Sequence, residues 1–415
     1  MHGLGVGCGL AAGVWLGAAE APKKLVDIGL SPFAISLCMV AGVFTARWTF
    51  PTLLKGTLYV FDDLKRCKHL IAMAIVAGML WAVANTLTVF AIRDVGLTIA
   101  FPLWNMNSLV GILWGRLLFG ELKGASAQNI AKVVLGALAI VAAAILLGFT
   151  TLQGGGTHAA HAVNGILAAA GASLLWGTMY VPYRKAYISG MNPLSFVTVF
   201  TIGELLTVFA LVLALDGGTN AAIFHSTEIR HIVFWLFLGG FVWVIGDLFQ
   251  QFATRYLGIG RAIPLSNTNQ IWGLAWGALV FGELAHADSS RKVLVVVGTV
   301  VMICGALAVS TAIASAREQA SMEEAVDREC GRYALDAERV RAVLGGSSGV
   351  DESGRRHWWD YLILAAGAGV FIYLGVNARV PALAMHAAWI WLLAAVLVAS
   401  ATACGWGLWK ATRFS

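Results

Sequence analysis

The sequence predicts an all-α polytopic membrane protein with two inverted five-helix repeats and two additional C-terminal transmembrane helices. Three observations support this fold class. The 415 residues are 59% apolar and only 12% charged, whereas soluble domains are roughly one quarter charged. Many apolar stretches have about 17–25 residues, the length that crosses a hydrocarbon core about 30 Å thick. In addition, one long segment of the chain occurs twice.

The repeated segment covers residues 85–122, which recur at 247–284 without a gap. Of the 38 aligned positions, 17 are identical. The shared features include a proline, two asparagines, two glycines and a terminal Phe-Gly-Glu. Six of the eight prolines of the chain pair at offsets of 160 to 162 residues. An internal repeat of this length decides the architecture before any single residue does.

The repeat organises the predicted membrane spans into two units. The spans are 3–19, 32–53, 69–91, 97–119, 127–149, 163–181, 193–215, 231–253, 260–281, 292–314, 358–376 and 385–408. Each unit holds five spans, and because five is odd, the second unit enters from the opposite side, as in secondary transporters. The predicted domains are the two units (1–155 and 156–314), a charged connector (315–357) and the added helices (358–415).

Lysine and arginine counts predict the orientation, because cytoplasmic segments carry more of these residues. With a cytoplasmic N-terminus, the inner segments hold 20 of them and the outer segments 7. Twelve spans then place both termini in the cytoplasm. The net charge of +6 follows from this bias, so nucleic acid is excluded as a partner. The connector is expected to be solvated, with a partner-binding or regulatory helix as the alternative.

Polar side chains are predicted near mid-membrane in spans four and nine. Pro102 and Pro264 lie about one turn inside these spans, where each removes a helical hydrogen bond and frees a carbonyl. Amide side chains follow directly: Asn105 and Asn107 in span four, and Asn267, Asn269 and Gln270 in span nine. On a regular helix, two residues are separated by about 200°. Both asparagines of one pair therefore cannot face the same cavity.

Uncharged amides beside tryptophans suit a neutral, polyhydroxylated small molecule. Amides both donate to and accept from hydroxyl groups, and indole faces stack on sugar C–H surfaces. The candidate substrate-binding residues are Asn85, Trp104, Asn105, Asn107, Asp247, Gln251, Asn267, Asn269 and Gln270. The alternative remains that the amides only join helices and that the tryptophans only pack.

Small residues and glutamates in the same two spans have structural interpretations. Gly111 and Gly115, like Gly273 and Gly277, form GxxxG pairs that allow close helix approach. We expect them to pack within the bundle, although they leave a homodimer open. The glutamates of the Phe-Gly-Glu motifs, Glu121 and Glu283, are expected to be structural caps or gate contacts.

Ionisable side chains within spans are costly and mark functional sites. Glu204 lies midway along span seven, Asp247 in span eight and Arg47 in span two. A carboxylate at this depth can carry a proton whose movement is coupled to the substrate. The alternative for Glu204 and Asp247 is a buried ion pair with Arg47. Protons and the lipid bilayer are thus the expected partners besides the small-molecule substrate.

The sequence offers no catalytic constellation, so an enzyme is not predicted. His158 and His161 stand in a glycine-rich loop without further metal ligands nearby, and a metal site is not expected there. A phosphate-binding GxxxxGK[ST] motif is absent from the sequence, which removes support for ATP-driven transport. No cofactor is predicted.

The repeated motif resembles the drug/metabolite transporter superfamily. Within it, residues 262–266 through 281–283 resemble the glucose/ribose porter family, and segments 17–24 and 239–243 resemble the L-rhamnose–proton symporters. The resemblance covers residues 3–314 and implies a proton-coupled sugar uptake system of the bacterial inner membrane. The last hundred residues and the Trp-Asn-Met-Asn motif of span four depart from that pattern. Export of amino acids, drugs or other metabolites and a membrane scaffold or sensor remain as alternatives.

Overall fold

The computed structural model describes residues 1–19, 21, 31–95, 100, 103–151, 159–218, 227–282, 288–344, 356–379, 385–412 and 414. Across these residues the regular structure is helical and contains no strand, so the all-α prediction is confirmed. The helices are α1 (His2–Ala18), α2 (Pro32–Lys55), α3 (Leu58–Arg66), α4 (His69–Val95), α5 (Asn107–Phe119), α6 (Ala127–Thr151), α7 (Ala159–Ile188), α8 (Pro193–Leu215), α9 (Thr227–Leu257), α10 (Ile259–Ser266), α11 (Asn269–Ala275), α12 (Ser289–Ser310), α13 (Ala316–Tyr333), α14 (Ala337–Leu344), α15 (Trp358–Asn377) and α16 (Ala387–Thr412).

Nine helices in the described part of the chain are long and apolar enough to cross a membrane, so the chain is an integral membrane protein. They coincide with nine of the predicted spans. Predicted spans one and four contain the shorter apolar helices α1 and α5. Span nine is divided among α10, α11 and a π-helical turn at Trp276–Val280. The total of twelve spans stays a prediction.

Two equivalent helices begin with the same local device. The Ser31 hydroxyl accepts a hydrogen bond from the backbone N–H of Ala34 at the start of α2 (3.1 Å). The Asn192 side chain accepts one from the backbone of Leu194 at the start of α8 (2.9 Å). Each cap is followed by a proline at the first helical position, where the missing N–H has no helical partner anyway.

Helix packing recurs at the offset of the sequence repeat. In the first unit α4 packs against α7 and α8, and in the second unit its equivalent α9 packs against α1 and α2. Likewise, α5 packs against α7, whereas α10 and α11 pack against α1. The equivalent helices α6 and α12 pack against each other. The same set of neighbours is therefore built twice from different parts of the chain.

Glycines allow the closest of these approaches. A Cβ atom added to Gly42 of α2 would lie 2.0 Å from the carbonyl oxygen of Phe237 in α9. The equivalent glycine of α8, Gly203, faces the carbonyl oxygen of Ile75 in α4 in the same way, at 2.1 Å. No larger residue fits at either position without moving a backbone, so sequence and packing agree at both crossings.

The two added helices pack on the outside of the bundle. Helix α15 contacts α2 and α9, and α16 contacts α1 and the π-helical turn. Asp360 anchors α15, because its carboxylate accepts hydrogen bonds from the hydroxyl of Thr57 (2.6 Å) and from the backbone N–H of His357 (2.9 Å). Large apolar side chains of both helices remain exposed and provide a lipid-facing surface.

The connector contains two helices that lie against the bundle. One face of α13 and α14 is buried through Ala325, Val326, Cys330 and Val340. Glu318 is also buried, with 7% of its surface exposed. The expectation of a solvated connector is therefore wrong for this face. The apolar stripe is thin, but ion pairs between the connector and the bundle add to it, and the sequence pattern did not show these pairs.

Candidate functional site

Span nine is a broken helix at its polar residues. Helix α10 ends at Ser266, Asn267 and Thr268 form a turn, and α11 begins at Asn269. After the turn, the backbone N–H of Ile271 donates to the carbonyl of Thr268 (3.0 Å), three residues earlier instead of the four of an α-helix. The regular helix assumed for span nine (260–281) is therefore wrong at this point.

The break has a local cause. Pro264 lies inside α10 and cannot donate a helical hydrogen bond. The hydroxyls of Ser266 and Thr268 then donate to backbone carbonyls within the segment, those of Ile263 (2.9 Å) and Leu265 (2.7 Å). Such local side-chain bonds compete with the helical pattern.

Span four shows the equivalent break. Asn105 and Met106 form a turn, and α5 begins at Asn107. The backbone N–H of Ser108 donates to the carbonyl of Asn105 (3.2 Å). Pro102 lies outside the described residues. The 200° argument assumes a regular helix, so it does not apply to segments that form a turn at their asparagines.

The two breaks meet, and the Asn267 amide joins them. Its Nδ2 atom donates to Oδ1 of Asn107 (2.9 Å), to the hydroxyl of Ser108 (2.6 Å) and to the carbonyl of Asn105 (3.3 Å). All four residues are buried. We call this group the amide junction. These hydrogen bonds join two helical segments, as expected under the alternative interpretation that the amides serve helix contacts.

The two remaining amides of span nine have polar atoms without protein partners. Oδ1 of Asn269 and Nε2 of Gln270 are buried and make no hydrogen bond in the described structure. An unsatisfied buried polar atom costs about 1–3 kcal/mol. Trp104, in contrast, packs edge-on against Trp176 with 6.2 Å between ring centroids. Asn269 and Gln270 are thus the amides of this region that retain capacity for a ligand.

A second polar group lies among α2, α8 and α9. Arg47 and Asp247 form an ion pair of 2.6 Å between side chains that are fully buried. Gln251 donates to the second oxygen of Asp247 (2.8 Å), and the hydroxyl of Tyr187 donates to Gln251 (2.6 Å). The buried-pair alternative therefore applies to Asp247.

Glu204 belongs to the same group but lacks a hydrogen bond. It is fully buried, and neither carboxylate oxygen has a hydrogen-bond partner in the described part of the structure. The charges that act on it are those of Arg47 and Asp247. We call Arg47, Asp247 and Glu204 the charged cluster. It combines one satisfied carboxylate with one unsatisfied carboxylate around a single cation.

Aromatic rings enclose the charged cluster. Trp81 of α4 and Trp243 of α9 are in contact, with 4.8 Å between ring centroids. The guanidinium of Arg47 lies 5.4 Å from the Trp243 ring and 5.2 Å from the Phe200 ring. Sequence reasoning missed both tryptophans as site residues, although they are 162 positions apart, the offset of the repeated motif. That shared offset is the signal that identifies them.

The amide junction and the charged cluster are linked through α9. Gln250 is next in sequence to Gln251, which donates to the cluster residue Asp247, and Gln250 itself donates to the hydroxyl of Ser266 (2.6 Å). Ser266 directly precedes Asn267. Asn85 lies in a third group, where its amide donates to Ser36 (2.9 Å). The structure thus brings the predicted residues together in two linked groups and leaves Asn85 with α2.

An open cavity of about 470 Å³ lies among α2, α4, α7 and α8. Phe33 and Phe90 contribute aromatic walls, in an edge-on pair with 5.1 Å between centroids. Thr86 also lines the cavity and shares a hydrogen bond of 3.1 Å with Ser36. This volume is in the range of small-molecule pockets, about 300–1,000 Å³. Through Thr86, the cavity borders the Ser36 and Asn85 group.

The glycines of the two spans and Glu121 of the first Phe-Gly-Glu motif make packing contacts. A Cβ on Gly111 would lie 2.5 Å from Ile263 of α10, so this glycine serves contact within the bundle. Glu121 accepts hydrogen bonds from the backbone N–H groups of Ile259 and Gly260, both at 2.9 Å, and so caps α10. The other packing glycines give these placements: Gly115 faces Glu121, a Cβ added to Gly273 would lie 3.9 Å from the carbonyl oxygen of Gly17, and Gly277 is buried in the π-helical turn. Glu283 lies outside the described residues.

Comparisons with known proteins show similarity to sugar transport and sugar uptake proteins. A family model described as "Sugar transport protein" matches residues 33–150 and 167–330. A Listeria innocua protein named for sugar uptake is 23% identical over 259 residues, which are 61% of this chain and 84% of that protein. The glucose uptake protein GlcU of Staphylococcus xylosus is 24% identical over 271 residues, or 62% and 85%. A crystal structure matches with a TM-score of 0.50 at 17% identity, covering 73% of this chain and 95% of that one, and this match concerns the fold alone.

Proposed function

The chain belongs to the sugar transport protein family, and on this premise we propose that it is a secondary active transporter for a sugar or a similar neutral metabolite. The relatives are named for sugar or glucose uptake, which favours import over export and a transporter over an enzyme. We further propose that the chain belongs to the drug/metabolite transporter superfamily. It would lie in a bacterial inner membrane with both termini in the cytoplasm.

We propose that transport proceeds by alternating access of two inverted units. The recurring helix contacts and the equivalent breaks at Asn105 and Asn267 support this mechanism. Discontinuous helices that meet at the repeat interface are where secondary transporters bind substrates and coupling ions. A rocking motion of the units would expose that interface to one side and then to the other.

The observation that carries proton coupling is the unsatisfied carboxyl group of Glu204. An ionised carboxylate without hydrogen bonds is among the most costly groups to bury. Arg47 is already neutralised by Asp247 at 2.6 Å. We propose that Glu204 takes up a proton when the site opens to one side and releases it on the other. Arg47 and Asp247 would hold the field around it constant.

We propose that the sugar binds between the charged cluster and the amide junction. Asn269 and Gln270 have free polar atoms to offer, whereas the Gln251 amide is engaged with Tyr187 and Asp247. The paired rings of Trp81 and Trp243 supply an aromatic surface for the sugar C–H face. Direct contacts from Asn107 and Asn267 would require the junction to open first.

Uptake measurements in proteoliposomes test this function. A panel of labelled sugars, beginning with glucose, is supplied with and without an inward proton gradient. We expect gradient-driven accumulation of at least one sugar; failure of every sugar to accumulate would contradict the proposal.

Substitution of the proposed proton carrier tests the coupling. Glu204→Gln should abolish gradient-driven accumulation while sugar exchange across the membrane continues, because the amide cannot carry a proton. Asp62→Asn, which alters a half-exposed carboxylate of α3, is the control and should accumulate sugar normally. Unchanged coupling in Glu204→Gln would show that another group carries the proton.

A further inference from the structure

The connector helices (α13 and α14) cover one end of the bundle. At this end α4 and α10 begin, whereas α5, α7 and α9 end. The ring of His69, the first residue of α4, stacks on Tyr333 of α13 with 3.5 Å between centroids and 7° between planes. Five bundle helices from both units therefore converge beneath a segment that lies outside the repeat.

A buried ion pair holds α13 on the second unit. Arg261 of α10 donates to both oxygens of Glu318, at 2.7 Å and 2.9 Å. The side chains are 3% and 9% exposed. Bidentate arginine–carboxylate pairs are strong and geometrically specific, and removing one partner of a buried pair leaves an uncompensated charge. The pair thus compensates both charges only while α13 remains packed on α10.

Further contacts hold the connector helices on neighbouring helices. Arg255 at the end of α9 donates to the carbonyl of Val343 in α14. Lys185 at the end of α7 lies 3.7 Å from Glu329 of α13. The end of α5 is also engaged, because a Cβ on Gly120 would lie 3.5 Å from the Cβ of Ser321. The connector helices thus make contacts with both units.

The opposite ends of the same bundle helices line the open cavity. Helix α4 begins at His69 beneath α13, and its residues Phe90 and Asp94 line the cavity more than five turns away. Helix α7 likewise contributes Asn164 to the cavity and Lys185 to the connector contacts. Among the described residues, the connector helices thus cover one end of these helices, and the cavity lies toward their other end.

We propose that the connector helices are the gate of the transport pathway at the covered end. Because they contact α4 and α5 of the first unit as well as α7, α9 and α10 of the second, a relative motion of the two units cannot leave both sets of contacts intact. Opening this end then requires the Arg261–Glu318 pair to separate and α13 to move away. This inference rests on the proposed transport function and assigns the connector helices the role of the moving element at one side.

A reversible disulfide across the gate tests the proposal. Gly120→Cys with Ser321→Cys joins α5 to α13, because the 3.5 Å between their Cβ positions lies within the usual range of about 3.5–4.5 Å for disulfides. Gly190→Cys with Val340→Cys joins the end of α7 to α14, with 3.4 Å between Cβ positions. Both glycines have left-handed backbones, so the strain of a cysteine is the same in the oxidised and reduced protein and cancels from the comparison.

The measurement compares sugar uptake of each double variant before and after reduction, with cross-linking verified by mass spectrometry. We expect oxidation to lower uptake at least about tenfold and reduction to restore it, because a closed gate blocks release. The controls are the four variants that each carry only one of the added cysteines. Their sugar uptake should not change on oxidation. Equal uptake in the cross-linked and reduced protein would overturn the gate. Failure of both pairs to cross-link would contradict the packing on which it rests.

The outcome separates this inference from the proposed function. If neither the unmodified protein nor the reduced variants take up any sugar, the transport function itself fails. If they take up sugar and cross-linking changes nothing, transport stands and the connector helices are a static cover.

Discussion

The two units of the repeat treat one equivalent position in opposite ways. In the first unit, Asn85 is neutral and donates to Ser36 (2.9 Å). In the second unit, the residue 162 positions later is Asp247, which pairs with Arg47 at 2.6 Å. The other members of the charged cluster are also unmatched, because the positions equivalent to Arg47 and Glu204 are the buried valines Val208 and Val43. The helices repeat, but the charges do not.

This difference teaches how a symmetric scaffold carries asymmetric chemistry. Two equivalent units suffice for an interface that opens to either side. Coupling to protons needs only one carrier, and a second charged cluster would add the cost of burying three more ionisable groups. The comparison predicts that the charges can be removed as a set, whereas the repeated packing contacts cannot.

Removal of Arg47 alone should have the largest effect. Arg47→Val leaves two carboxyl groups buried without a cation, so we expect the protein to lose about 3–5 kcal/mol of stability. Thermal unfolding of the detergent-solubilised protein measures the loss.

Adding the second change should reverse most of this loss. Arg47→Val with Asp247→Asn gives each position the neutral residue of its repeat equivalent, Val208 and Asn85, and breaking a buried pair is costly mainly because one charge remains. A double variant that is less stable than Arg47→Val would contradict the comparison between the two units.

The repeated glycine contacts should be nearly as sensitive and should respond equally. We expect Gly42→Ala and Gly203→Ala each to lower stability by about 1–3 kcal/mol, because each added Cβ meets a backbone carbonyl. Gly369→Ala is the matched control, since nothing lies within 4 Å of its Cβ position in α15. It should leave the unfolding temperature equal or slightly higher. Tolerance of alanine at only one of the two crossings would show that the units do not pack equivalently.

Replacement of Glu204 by the residue of the other unit should stabilise the protein. Glu204→Val removes a buried carboxyl group that has no hydrogen-bond partner, and we expect a gain of about 1–2 kcal/mol. Accumulation of sugar against its gradient should be lost in the same variant. A loss of stability would mean that Glu204 is paired in the membrane.

The amides of span nine should separate structural contacts from ligand contacts. Asn267→Ala removes the donor of the amide junction and should cost about 1–3 kcal/mol. Asn269→Ala removes a buried oxygen that has no hydrogen-bond partner in the described structure and should leave stability equal or slightly higher, while it raises the KM for sugar. An unchanged KM would remove Asn269 from the binding site.

Several features of the candidate site could be predicted from the sequence. The polar residues at depth, from Asn105 to Gln270, stand out because apolar neighbours surround them. Their roles could not be predicted, because an interruption at Asn267 replaces the regular helix on which the facing argument relied. The tryptophan pair was missed although its offset of 162 residues was visible, since tryptophans at helical spacing are ordinary packing residues.

The sequence by itself determined the all-helical membrane architecture, the family and the duplicated order of elements. These follow from composition and from patterns within continuous stretches of chain, which local physics reads directly. Only the tertiary structure decided that Arg47 pairs with Asp247, 200 positions away, and that Glu204 has no hydrogen-bond partner among the described residues. It also placed Glu318 of the connector on Arg261. Such choices depend on which distant helices become neighbours, because burial makes a charge without a partner costly.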